Sequence, residues 1–168
     1  MNSNKLLTIL SLAILAGCQS TTAETPLTAS LCTTGDTSST GLNEATFDKA
    51  VLDCGGYEIF TDDMIIDQQL VFSFSNGKKQ RELVLMENGT GKYTKLEKGT
   101  TEAIRWKLED SGNLRLEFED GYQWAWRLLE QEGAQMAVKS YGYTSDGNHH
   151  DILSMVVTNK TEINVTKE

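Results

Sequence analysis

Proline occurs once in the 168 residues, at Pro26, so none is at hand to blunt the edges of a sheet formed further along. Histidine is confined to the adjacent pair His149 and His150. Neighbours on a strand point to opposite faces, and zinc sites need three or four placed ligands. Asp146-Gly147-Asn148-His149-His150-Asp151 therefore reads as a solvated turn, and no metal site is expected. Asp62, Asp63 and Asp67 lack the spacing and central glycine of a calcium loop and read as loop charges. Three cysteines, at positions 18, 32 and 54, form no CxxC redox motif and no cysteine-rich zinc site. There is no G-x-S-x-G elbow and no readable set of nucleophile, base and orienter, which puts an enzyme last among the functions and calls for no cofactor. The longest apolar stretch, Leu6 to Ala16, falls short of the about 20 residues a spanning helix needs. Basic residues are few: 15 Lys and Arg stand against 24 Asp and Glu, a net charge of -9. Such a surface repels nucleic acid and anionic headgroups, leaving neutral ligands, cations and proteins as partners.

What is present starts at the N-terminus. Lys5, the apolar stretch to Ala16 and the small residues after it have the layout of a secretory signal peptide. Leu15-Ala16-Gly17-Cys18 resembles the lipobox of bacterial lipoprotein precursors. The resemblance implies that Cys18 receives a diacylglycerol, that residues 1–17 are removed, and that the new amine is acylated, for example with palmitate. Gln19 in place of aspartate implies sorting to the outer membrane, on a cell-envelope surface bordering the periplasm. Several acyl chains hold a bilayer stably where one does so marginally. Loss of Lys5, the only charge in residues 1–17, takes the net charge from -9 to -10. With Cys18 used for lipid, an exported chain keeps Cys32 and Cys54, which read as a disulfide worth about 3 kcal/mol.

Residues 18–41 are rich in Ser and Thr and read as a flexible spacer between lipid and domain. One β-rich domain is expected over 42–168, opening with a helix at 43–54: Asn43 can cap it, Phe47, Ala50, Val51 and Cys54 repeat at helical spacing, and Gly55-Gly56 stop it. From Tyr57 on, turn signals such as Asn76-Gly77, Asn88-Gly89, Lys98-Gly99, Ser111-Gly112 and Asp120-Gly121 recur at intervals of about a dozen residues, the rhythm of an antiparallel meander. Between them apolar and charged residues alternate, as in Ile104, Trp106 and Leu108 against Arg105, Lys107 and Glu109. This predicts a sheet with one buried and one wet face. The fold class is mainly β: an up-and-down meander of about eight or nine strands, closed as a barrel or strongly curled, with the helix over one mouth or flank. A two-sheet sandwich is the alternative. The strand count and meander are similar to the lipocalin-like group of ligand-binding barrels over Tyr57 to Val165. The Gly-x-Trp of the first lipocalin strand has no counterpart in "GGYEIFTDD", and no binding residue is carried over.

The densest aromatic group is Tyr122, Trp124 and Trp126 on one strand, with Phe118 and Trp106 opposite on its neighbours. These five either line a cavity for an apolar or ring-shaped ligand or pack the interior solid, since a barrel of about eight strands is just wide enough for side chains to fill it. The function expected is a lipid-anchored envelope protein acting as a structural or protein-interaction module. The alternative is binding of a small apolar ligand or cell-wall component inside the β-domain.

Overall fold

The computed structural model describes residues 27, 31–74, 77–144, 146 and 150–161. The signal peptide, Cys18 and His149 lie outside the described residues. In chain order the elements are β1 (Thr37–Ser38), α1 (Glu44–Asp53), α2 (Asp62–Ile65), β2 (Gln69–Phe74), β3 (Lys79–Leu85), β4 (Thr90–Lys95), β5 (Thr100–Leu108), β6 (Leu114–Phe118), β7 (Tyr122–Glu132), β8 (Gln135–Thr144) and β9 (His150–Asn159). Strands β2 to β9 pair antiparallel with their sequence neighbours, and β9 closes on β2. The result is an eight-stranded barrel rather than a sandwich, with β1 as a ninth strand on β9.

Closure removes the edges that the missing prolines could not protect. It is uneven, because β9 pairs with β8 from Gln135↔Thr158 to Tyr143↔His150 but with β2 only at Leu70↔Asn159 and Val71↔Thr158. Towards its start β9 parts from β2, and β1 takes up the edge there through Thr37↔Ile152 and Ser38↔Asp151. Between the two pairings Asp36 Oδ2 accepts the Ser154 amide at 3.0 Å, so a side chain stands in for the absent strand partner.

The alternation seen in the sequence sends Leu83, Leu85, Ile104, Leu114, Leu116, Trp126, Leu128, Val138, Met155 and Val157 into a continuous core. One end is plugged by Phe60 and by Ile65 of α2, both buried. Asp62 and Asp63 thus open a one-turn helix where loop charges were expected, with Ile66 bridged to Leu85 beneath it.

The expected wet outer face is corrected on β7 to β9. Ala125, Tyr141 and Ile152 point outward there and pack under Phe47, Ala50 and Val51 of α1. Small and apolar residues at those outer positions supply the seat. The helix therefore covers a flank, held by the Asn43 side chain accepting from Thr46 N at 3.0 Å and by Gly55 and Gly56 at positive φ. Three cations on the outer face are buried by this layer. Arg115 bonds Glu109 and Glu44 and also Tyr143; Arg127 bonds Asn113 and Asp48; Lys139 is fully buried. The Lys139 ammonium donates to Cys32 O at 3.0 Å, Thr34 O at 2.8 Å, Asp36 Oδ1 at 2.8 Å and Ser154 Oγ at 2.7 Å. With the Cys32–Cys54 disulfide and β1, these bonds make residues 31–41 part of the folded unit, where the Ser- and Thr-rich composition predicted a flexible spacer.

Candidate functional site

Among the described residues, the end of the barrel opposite α2 is open where β2 and β9 part. A cavity of about 220 Å³ lies there. Its apolar wall is Phe74, Tyr122, Trp124 and Leu153. Its polar wall is Lys79, Arg81, Ser140 and Asp151. The two sets reach the same space because inward positions on β2, β3, β7, β8 and β9 are two residues apart along each strand. Trp124 is the central ring: Phe74 meets it edge-on at 6.0 Å, and Tyr93 and Phe118 at 5.6 and 5.0 Å.

Arg81 is the charged anchor of the wall and is almost fully buried. Its Nη1 donates to both Glu97 oxygens, at 2.7 and 2.6 Å, and to Gln80 O, and its Nε to Tyr93 Oη at 2.6 Å. Burial alone would lower its pKa, but the bonds to Glu97 and Tyr93 outweigh that and raise it. The same bond holds the Glu97 carboxyl below its usual range. Burial pushes the Tyr93 phenol up to about 12 although Arg81 pulls the other way. The Tyr122 phenol is raised as well, by burial and by the Asp151 carboxylate, which accepts from its hydroxyl at 3.5 Å. Gly142 makes room for this pair, since a Cβ there would lie 2.0 Å from Tyr122 Oη and 2.4 Å from Asp151 Oδ1.

Of the five aromatic residues singled out in the sequence, Tyr122 and Trp124 line this cavity and three do not. Trp126 lies behind Trp124, stacked at 5.9 Å and only 1% exposed, and its Nε1 has no hydrogen-bond partner among the described residues. Trp106 donates its Nε1 to Met86 O and Thr90 O at 2.9 and 3.0 Å, pinning the β3–β4 turn. Phe118 packs edge-on against Tyr93 at 5.1 Å and borders a separate surface depression with Ile104 and Glu117. Of the two alternatives for these rings, packing of the interior holds for most of them, and only a shallow cup is left at the mouth. The cup residues that sequence reasoning missed, Phe74 on β2, Lys79 and Arg81 on β3, Ser140 on β8, and Asp151 and Leu153 on β9, all occupy inward positions. A charged residue in phase with Leu83 and Leu85 was the available signal for Arg81.

His150 of the expected solvated turn stacks on Tyr141 at 5.8 Å, and its Nδ1 is 2.8 Å from Tyr141 Oη. Among the described residues no group of three or more His, Cys, Asp or Glu could hold a metal ion. No described helix is long and apolar enough to cross a membrane.

No protein-family pattern matches the chain, and no curated protein is similar to it. Among solved structures it is similar to bovine odorant binding protein in complex with a selenium-containing odorant, at 11% identity and a TM-score of 0.37, over 62% of this chain and 81% of that one.

Proposed function

We propose that this chain is a lipid-anchored protein of the bacterial cell envelope, attached through Cys18, whose barrel binds a small ring-bearing ligand in the cup at its open mouth. The observation that carries the reading is the cup itself. Phe74, Trp124 and Leu153 offer an apolar slot on one side of about 220 Å³, and Lys79 offers a cation on the other, beside the Arg81 paired with Glu97 and the Asp151 carboxylate. That volume is below the roughly 300 Å³ at which common ligand pockets begin, so the ligand is compact. Trp124 accepts the ring by stacking and area, while Lys79 favours an acidic substituent placed on its side of the wall, away from Asp151; Arg81 is already held by Glu97 and Tyr93.

Titration with compact aromatic acids, followed by tryptophan emission, tests this. A saturable change is expected that weakens at least tenfold when the acid is replaced by its methyl ester, and that disappears in Leu153→Trp, which fills the slot. No saturable change with any acid up to millimolar concentration refutes the cup. A second reading, a protein-interaction module, is favoured by the filled core from Trp126 to Ile65 and takes over in that event. The anchor is tested separately, by the mass of the peptide that begins at Cys18 in protein isolated from bacterial envelopes. An unmodified Cys18 rules it out.

A further inference from the structure

Three large apolar side chains stand in solvent around the end of α1: Leu52 is 65% exposed, Tyr57 45% and Ile59 66%. They share one flank. Tyr57 and Ile59 both border Gly112 of the β5–β6 turn. Arg127 lies 4.1 Å over the Tyr57 ring and bonds Asp48, one helical turn before Leu52. Leu96, 39% exposed, belongs to the separate β4–β5 turn.

The patch adjoins the root of the N-terminal segment. Cys54, between Leu52 and Tyr57 in the chain, is bonded to Cys32 with their Cα atoms 5.7 Å apart. Cys32 therefore stands at the margin of the patch, five residues along the chain from Leu27. Leu27 is buried, so the reach to the membrane is set by residues 18 to 27, about 30 Å at full extension. We propose that Leu52, Tyr57 and Ile59 form a membrane-contacting face that sits in the interface of the bilayer holding the Cys18 lipid. The proposal rests on the anchor proposed above.

Tyr57 suits an interface, with an apolar ring and a polar tip. Asp53 and Glu58 are exposed beside the patch, which directs it to zwitterionic rather than anionic headgroups. Three side chains alone bind a bilayer weakly, but the tether makes the contact intramolecular at an effective concentration in the millimolar range.

The chain 18–168, which the proposed lipobox cleavage would leave, is the form to test. Its one thiol outside the disulfide, Cys18, can be coupled to a maleimide phospholipid in phosphatidylcholine vesicles. Hydrogen exchange over residues 52–60 is expected to slow at least threefold relative to the uncoupled chain, with the turn at 86–89 unchanged. The double variant Leu52→Ser, Ile59→Ser is expected to restore the uncoupled rate. Unchanged exchange in the coupled chain, or protection that survives the double variant, overturns the proposal. So does lipid-free protection that grows with protein concentration, which would assign the patch to a second copy. Coupling supplies the anchor chemically, so this result reports on the patch whatever natural Cys18 carries.

Discussion

Replacing Lys139 with methionine keeps the stem and removes the ammonium. Four acceptors then lose the ammonium at once, Cys32 O, Thr34 O, Asp36 Oδ1 and Ser154 Oγ, and the single Ser154 hydroxyl proton is left to serve both Cys32 O and Asp36 Oδ1. Removing one partner of a buried ion pair typically costs about 3–5 kcal/mol, because the remaining charge is left without compensation. Lys139 is fully buried, but the Asp36 side chain keeps 24% of its exposure, so water can reach it and the low end, about 3 kcal/mol, is expected. Against a typical stability of about 5–15 kcal/mol this is a large share. Urea denaturation of Lys139→Met with the disulfide closed gives the loss. Adding Asp36→Asn removes the stranded charge and should recover about 1 kcal/mol or more, a non-additivity that marks the pair as directly coupled. In the reduced Lys139→Met protein only the two-residue β1 pairing still holds residues 31–38, and the Ser154 amide should exchange faster than in either single change. A loss below about 1 kcal/mol, or a double variant no better than the single, would refute the claim that this ammonium fastens the segment to the barrel.

Gly142→Ala puts a methyl group on the Tyr122 and Asp151 pair and should destabilise the barrel by about 1–3 kcal/mol while weakening ligand binding in the cup, read by denaturation and by titration. Tyr93 has a folded pKa of about 12 against 10.0 for the free side chain, so the folded state keeps a proton that the unfolded chain loses. Its contribution is complete below pH 10, falls as pH rises towards 12, and amounts to at most about 3 kcal/mol. Tyr122 shifts in the same direction, so the measurement compares the alkaline loss in wild type with that in Tyr93→Phe, which should be smaller.

The parts of this fold that depend on neighbours in the chain were legible in the sequence. Asn43 and Gly55-Gly56 bound α1 because caps act within a few residues, and the Gly-containing turns set the meander because each governs only the hairpin around it. Side-chain alternation named the inward face of β5 to β7 for the same reason. What depends on residues far apart was not legible. Lys139 reads as a wet-face charge until Cys32, Thr34 and Asp36 are laid over it from about a hundred residues away. The aromatic run on β7 marked the right strand for the cup. Which rings are buried and which stand at the mouth depends on where β2 and β9 part, and neither strand carries a local mark of that. Arg81 and Asp151 belong to opposite ends of the meander and meet only through closure.

That closure also dictates an order of events in folding. The bonds that shut the barrel join Leu70 to Asn159 and Val71 to Thr158, nearly ninety positions apart, and among the described residues there are only two such pairs. Ring formation over so long a span carries a large entropic penalty and is slow compared with zipping a hairpin. The long β7–β8 and β8–β9 ladders can form first from local contacts, leaving β2 as the last stave to be fitted. Until then the Trp124 and Trp126 layer faces solvent, so the half-assembled chain is the form most exposed to aggregation or to capture by a chaperone.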